Sequence, residues 1–272
     1  MQIVYFGSDV FLNVFRYLRQ KHRILVLYTY HNEEDYFSDY AIVREAQKAG
    51  IEVRYLPPSS EEMDDWIKQG ANLFFSAEYA YKLPIPHSDA FRGVNLHSSL
   101  LPEGRSYYPI EYSMYSGQTE YGVSMHKLTE ELDGGAILSQ KKFSVTRETD
   151  SVDCYLYSAG RALEMVKEVL ADFEKAWQNA VPQSEKKPYR KRPPQEEMTL
   201  RHTLMCRDAL EIFRKYNKMT EVSVGDTSYF VESLTAGHAP LQAENGELFL
   251  NEGLLLYGVA DGHLRLSVRK KQ

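Results

Sequence analysis

Asn95-Leu96-His97 sets an amide and an imidazole two residues apart at the end of a short apolar run, residues 93–97. In an extended strand such residues point to the same side, so the two polar groups face one small volume. Pro102 and Gly104 follow, so the strand has ended. In a parallel sheet the space beyond the carboxyl ends of the strands is where sites form. Leu132-Asp133-Gly134-Gly135 adds a carboxylate on a loop whose glycines permit a tight backbone path. An amide N–H stabilises a developing oxyanion, an imidazole takes a proton from an attacking amine, and a carboxylate orients that imidazole and balances its charge. The chemistry this set supports is acyl-group transfer to an amine. An Asn-x-His pair at a strand end also occurs as a structural hydrogen bond, and Asp-Gly-Gly as a plain turn, so spacing alone leaves both readings open.

The elements that must hold these groups follow from periodicity. Residues 3–6 read as a buried strand and residues 10–19 as an amphipathic helix with Val10, Phe11, Val14, Phe15 and Leu18 on one face. Strands are predicted at 24–30, 52–56 and 73–77, with helices at 40–49 and 61–69 that stop at Gly50 and Gly70. This alternation predicts an α/β fold: a Rossmann-like, mostly parallel sheet with helices on both faces. Further along, a helix is predicted at 110–116, strands at 122–128 and 136–141, and one long helix over 151–178.

Composition then changes. Residues 181–197 hold Pro182, Pro188, Pro193 and Pro194 among many charges, with Lys186, Lys187, Arg190, Lys191 and Arg192 making the stretch locally basic. It reads as a solvated linker over 181–198, in preference to a nucleic-acid arm. Residues 1–180 are then one domain and residues 199–272 a small β-rich one. In the latter a helix at 208–216 precedes strand-like runs at 228–233, 247–250, 254–259 and 263–268, with hairpin signals at Asn245-Gly246 and Asp261-Gly262.

The formal net charge is −6, which argues against a large phosphate-gripping surface. Cys154 and Cys206 are far apart and form no CxxC, so neither a disulfide framework nor a cysteine zinc site is expected, and no metal is called for. The first residues run directly into a strand with no basic and apolar leader, and no window reaches a membrane-spanning length. The expectation is a cytoplasmic protein with no membrane partner. The opening has Gly7 but no GxGxxG, which argues against a dinucleotide oxidoreductase.

The run Val94-Asn95-Leu96-His97-Ser98-Ser99-Leu100-Leu101-Pro102, with Arg105, Pro109, Gly117, Gly122-Val123 and Leu132-Asp133-x-Gly135-x-Ile137-Leu138, resembles the 10-formyltetrahydrofolate-dependent formyltransferase family. That family reads N-x-H-x-S-L-L-P and then L-D-x-G, a compound pattern with fixed gaps. Ile3-Val4-x-Phe6-Gly7-Ser8-x-x-Phe11 resembles its opening, and Ala80-Tyr81-Lys82-Leu83-Pro84 lies near its A-Y-x-x-x-L-P element. Beyond residue 180 the likeness to the small carboxy-terminal domain of the tRNA and sugar enzymes is loose.

The resemblance implies that Asn95, His97 and Asp133 are the catalytic trio and that 10-formyltetrahydrofolate is the formyl donor. It places the pterin against the 75–84 segment and the 132–137 loop, at Phe75, Ala77, Tyr81, Leu83, Pro84, Leu132, Gly134 and Gly135. Ser8, Ser99, Arg105, Tyr107 and Tyr108 are the expected acceptor-binding residues. Arg105 either pairs with a diphosphate or makes a structural salt bridge, and Ser99 either supports the loop or caps a turn. The tRNA enzymes place small residues after L-L-P. Here the loop reads Glu103-Gly104-Arg105-Ser106-Tyr107-Tyr108-Pro109, with Tyr112 and Tyr115 beyond. These aromatic faces either stack on a base or sugar or simply pack. This departure, the acidic balance and the short tail lean toward a nucleotide-linked amino sugar (dTDP-, UDP- or GDP-linked) on the way to a surface polysaccharide such as O-antigen. Charged initiator tRNA is the alternative acceptor and a small free amine a third. A non-catalytic folate- or nucleotide-binding protein is the reading from another class. A homodimer, as in many of the sugar enzymes, is a further expectation.

Overall fold

The structure is a computed structural model that describes residues 1–31, 40–115, 118, 120–146, 148–185, 187–243, 246–251 and 253–271. Ser116, Gly117, Lys186 and Asn245, used in the sequence reading, lie outside the described residues, as does the side chain of Tyr115. The described residues divide into two compact units, the first containing residues 1–31, 40–146 and 153–191 and the second residues 148–152 and 192–271.

Seven strands build the sheet of the first unit: β1 (Gln2–Gly7), β2 (Arg23–Tyr28), β3 (Glu52–Arg54), β4 (Leu73–Ala77), β5 (Gly93–His97), β6 (Glu120–Lys127) and β7 (Ile137–Ser144). Their order is β3-β2-β1-β4-β5-β6-β7. The first five pair in parallel, and β6 and β7 run antiparallel. The alternating strand residues explain why β1 and β4 read as continuous apolar runs: both faces are covered. Ile3, Tyr5, Phe75 and Val94 pack in one cluster with α1 (Leu12–Lys21), α2 (Ala41–Lys48), α5 (Ser151–Ala171) and α6 (Phe173–Gln178). Val4, Phe6, Phe74 and Leu83 pack in another with Met63 and Trp66 of α3 (Ser60–Lys68), and the helix expected at 110–116 is α4 (Pro109–Tyr115). Each large side chain buried in this way contributes about 1.5–3 kcal/mol. The doubly wound, mostly parallel sheet is the fold that the alternation of elements predicted.

Local signals place several ends. Ser59 caps α3 by accepting from the Glu62 N–H at 3.2 Å. The start of α2 is capped from a distance: the buried Asp9 carboxylate accepts from the N–H groups of Ala41 and Ile42 at 2.8 and 2.7 Å. The long helix predicted over 151–178 is two helices. At Asp172 the backbone leaves helical geometry and the side chain accepts from the Lys175 N–H, starting α6 afresh.

The second unit holds β8 (Thr199–Leu200), α7 (Cys206–Tyr216), β9 (Glu221–Val224), β10 (Thr227–Gly237), β11 (Glu247–Asn251), β12 (Leu254–Val259) and β13 (Gly262–Lys270). The six strands form one sheet in the order β11-β12-β13-β10-β9-β8. The hairpin signalled at Asp261-Gly262 is present one residue earlier: Ala260 and Asp261 make the turn, and Gly262 already pairs with Val259 at the start of β13. Strands β8 and β9 were not anticipated; β9 pairs with β10 through the turn at Gly225, whose φ of 56° suits glycine. Val222, Val231, Leu234, Leu255, Leu264 and Leu266 form its core with Cys206 and Ala209 of α7. Cys154 and Cys206 are both buried and neither is in a disulfide.

Candidate active site

Asn95 and His97 stand at the carboxyl end of β5, on one face, as the two-residue spacing requires. The next strand brings a residue the sequence reading missed. In the antiparallel β5–β6 register Asn95 lies opposite His126, and His97 opposite Ser124. Asn95 Nδ2 is 3.2 Å from His126 Nε2, and His126 Nδ1 is 2.9 Å from the carbonyl oxygen of Lys127. A carbonyl only accepts, so His126 Nδ1 carries the hydrogen. Burial, opposed by Asp133 and reinforced by His97, holds the ring down to about 4, so it is neutral near pH 7. Its Nε2 is therefore a lone pair that accepts from the Asn95 amide. This fixes the amide orientation: one N–H is committed to His126, the second N–H is available to the site, and Oδ1 is buried without a hydrogen-bond partner.

His97 Nε2 lies 2.9 Å from the carbonyl oxygen of Gly104 and by the same reasoning donates to it. Its Nδ1 faces Asp133 Oδ1 at 3.7 Å, and the same oxygen is 3.8 Å from His126 Nε2. These separations exceed a direct hydrogen bond. The carboxylate acts on both rings through its charge, which is strong where side chains are this buried. Asp133 has a φ of 52°, a left-handed conformation that the loop must enforce. Glu78, also at a positive φ of 50°, follows β4 and accepts from the Ser98 N–H at 2.6 Å. Burial pushes its carboxyl up, against the opposing pull of His97 and the Ser98 N–H.

The structure thus brings Asn95, His97 and Asp133 to one volume. It separates several other expected residues from it. Phe75 and Ala77 are wholly buried in the sheet core, with the Phe75 ring stacked on Tyr5 at 5.8 Å, and Leu83 packs into the opposite core. Strand β4 holds Phe75 and Ala77, and core packing from the following loop holds Leu83, so these side chains have little surface to give a pterin. Pro84 is half-buried. Tyr81 is 45% exposed and meets Tyr79 and Tyr30 edge-to-face, and the Tyr30 hydroxyl lies 3.5 Å from the buried Ser8 Oγ. Ser99 Oγ donates to the Glu103 carbonyl, a loop-supporting contact. Tyr108 is buried beneath the exposed Tyr107, its ring perpendicular at 4.8 Å.

Arg105 does not present itself to a diphosphate. It is 5% exposed, and its guanidinium donates to the carbonyls of Leu132 and Lys187 and to the Glu131 carboxylate. Of the two readings open in the sequence, the structural salt bridge is the one observed. The expected linker also differs. Residues 181–191 belong to the first unit. They bond back at Val181 to Ile137 and at Arg190 to Arg105 and Tyr107, which flank Ser106, and Gln183 Nε2 donates to the carbonyls of Asp133 and Gly135. No sequence signal marks Gln183, because its partners lie 48 and 50 residues away.

Beside the Asp133 loop lies a cavity of about 520 Å³. Its lining is Lys82, Arg105, Glu130, Glu131, Leu132, Lys187, Pro188 and Tyr189, so two carboxylates stand beside its cations. Tyr189 is pushed up to about 12, first by burial and then by the charge of Asp133. Among the described residues no group of three or more His, Cys, Asp or Glu could hold a metal ion, and no helix is long and apolar enough to cross a membrane.

A doubly wound sheet with an amide, an imidazole and a carboxylate beyond its strand ends brings together groups that acyl transfer uses. Residues 40–170 match the formyl transferase family, and this stretch of the chain is a formyltransferase domain. Methionyl-tRNA formyltransferase of Listeria monocytogenes is 32% identical over 131 residues, 47% of this chain and 42% of that protein. The chain therefore aligns to less than half the length of such relatives. Two solved structures share the fold. One is a HypX variant from Aquifex aeolicus, with a TM-score of 0.73 at 16% identity over 100% of this chain and 45% of that one. The other is WlaRD, a sugar 3N-formyltransferase solved in the presence of dTDP and 5-N-formyl-tetrahydrofolate, with a TM-score of 0.61 at 14% identity over 100% and 98%.

Proposed function

We propose that the chain transfers a formyl group from 10-formyltetrahydrofolate to the amine of a nucleotide-linked amino sugar. The first unit carries the chemistry. The observation that carries this reading is the convergence of Asn95, His97 and Asp133, with the Asn95 amide oriented by His126 and its Oδ1 unpartnered. A buried polar atom without a partner costs about 1–3 kcal/mol, which suits a group awaiting a donor such as the incoming amine N–H. The free Asn95 N–H and His97 then stabilise the oxygen that gains charge as the amine adds. Asp133 balances the charge of His97 and receives or relays the proton that the amine loses. The folate, when bound, supplies an activated formyl carbon and a nitrogen leaving group. The cavity beside Leu132 has the size of a cofactor site; its two lysines are already paired, Lys82 with Glu130 and Lys187 with Glu103 and Glu185.

The sugar reading rests on the two-tyrosine loop at Tyr107 and Tyr108, the acidic balance, and a fold neighbour that acts on a sugar over almost its whole length. A second reading, charged initiator tRNA, is favoured by the name of the 32%-identical relatives. Mixing the protein with 10-formyltetrahydrofolate and following tetrahydrofolate release separates them. Turnover with one of a panel of dTDP-, UDP- and GDP-linked amino sugars, and none with tRNA, is the expected result. Turnover with tRNA alone overturns the sugar assignment and keeps the trio. A protein that binds folate yet turns over no acceptor, small amines included, is a binding protein.

A further inference from the structure

We infer that Arg105 and Gln183 are positioning residues that hold the Asp133 loop in place, and that the segment 181–191 is the strap that carries Gln183 to it. This rests on the reading of Asp133 as part of the reacting site. Asn95 and His97 are fixed by the backbone ladder of β5, which pairs on both sides. Asp133 has no such ladder, and its φ of 52° is a conformation a non-glycine residue keeps only where its surroundings over-determine it.

Two side chains from outside the loop supply that determination. Gln183 Nε2 donates to the carbonyl of Asp133 at 2.7 Å and to that of Gly135 at 2.9 Å. Arg105 Nε donates to the Leu132 carbonyl at 3.2 Å, and its Nη2 to Glu131 Oε1 at 2.9 Å. Three carbonyls of the loop are thus held by two residues that touch no reacting group.

The strap is anchored at both ends. Val181 and Ile137 exchange both backbone hydrogen bonds at 2.8 Å. Near the other end the Arg190 N–H donates to the Arg105 carbonyl at 2.7 Å, and Arg105 Nη1 donates to the Lys187 carbonyl at 3.0 Å. On the opposite side the loop presses on β6 so closely that a Cβ on Gly135 would run into the Lys127 carbonyl. The loop is clamped between β6 and the strap. A buried guanidinium fixed by carbonyls and one carboxylate is a rigid part of such a clamp, because moving it leaves a charge unpaired.

The test is Gln183→Leu, which removes both donors at nearly constant size. Since a misplacement of about 1 Å at a reacting group costs on the order of a hundredfold, kcat should fall about ten- to a hundredfold while the acceptor KM stays within about threefold. Amide exchange at residues 132–137 should quicken in the same variant, with the melting temperature little changed. Arg105→Lys, which keeps the charge and loses the fork, should show the same split. If that variant does not fold, Gln183→Leu decides alone. Unchanged kcat, unchanged exchange, or a loss that appears only in the acceptor KM overturns the inference. If the wild-type protein formylates no acceptor, the proposed function falls, and exchange at 132–137 still decides whether the strap orders the loop.

Discussion

His126 gives the sharpest test of the site's electrostatics. Its side chain is 2% exposed and burial holds its pKa at about 4, against an ordinary 6.5. An unfolded chain binds a proton here below pH 6.5, and the folded chain only below about 4. Between those values the unfolded state holds more protons, so stability falls as the pH drops from 6.5 to 4 and this contribution then levels off. The difference of 2.5 between the two values at 1.36 kcal/mol each amounts to about 3 kcal/mol. Glu78 works the other way. Its raised carboxyl contributes stability that is fully present below its unfolded value and is lost as the pH rises through the folded one. The wild-type curve alone is therefore a mixture. His126→Gln removes the titration, keeps a neutral acceptor for Asn95 and leaves Glu78 in place, so the difference between the two proteins isolates the imidazole. Both tryptophans, Trp66 and Trp177, lie in the first unit, so urea unfolding followed by tryptophan fluorescence reports on that unit without the second. The stability advantage of wild type over variant should shrink by about 3 kcal/mol between pH 7.5 and 4. Parallel pH dependence in the two proteins would refute the neutral, Nδ1–H form of His126, and with it the assigned orientation of the Asn95 amide.

Three further outcomes follow from the same geometry. Asn95→Ala and His97→Ala should each lower kcat about 100- to 1000-fold with little change in melting temperature, measured as tetrahydrofolate release by the folded variants; unaltered turnover removes them from the site. Gly135→Ala drives a methyl group into the Lys127 carbonyl and should cost about 1–3 kcal/mol in urea unfolding; a neutral result would mean that the loop is not pressed on β6. Trp66→Phe removes the 2.9 Å hydrogen bond to the Tyr28 hydroxyl and should cost about 1 kcal/mol in chemical denaturation monitored by circular dichroism. Full wild-type stability would place that bond among those exchanged evenly with water.

What was legible in the sequence divides along a physical line. Strands β4 and β5 were read to the residue, because runs buried on both faces and punctuated by glycine and proline have few other states. The spacing of Asn95 and His97 was equally legible, since a strand dictates where alternate side chains point. The break at Asp172 was not, because aspartate is tolerated in a helix and only its capping of Lys175 reveals the stop. Contacts across the chain were out of reach. His126 becomes a partner of Asn95 through the β5–β6 register, and a slip of one residue would have pointed it to the other face. Arg105 reads as an anion-binding residue from its type, and only its partners 26 and 27 residues on show that its donors are spent on the Asp133 loop. A proline- and charge-rich stretch reads as a linker by composition, yet residues 181–191 keep enough backbone pairing to act as a strap.

The division of labour in the site follows from which parts are rigid by construction. Asn95 and His97 inherit their positions from a sheet whose strands are fixed by burial on both faces, and changing the acceptor would not require moving them. Asp133 sits on a loop whose order depends on side chains sent from elsewhere, one of them following the Gly104 carbonyl that accepts from His97. The segment from Gly104 to Tyr108 therefore does two things at once. It holds His97 and the Asp133 loop through Gly104 and Arg105, and it leaves Tyr107 exposed. On the proposed function, acceptor selectivity and catalytic geometry are joined there. Exchanging Tyr107 and Tyr108 for small residues should change which amine is accepted while Arg105 stays indispensable, and an Arg105 variant should be slow with every acceptor offered to it.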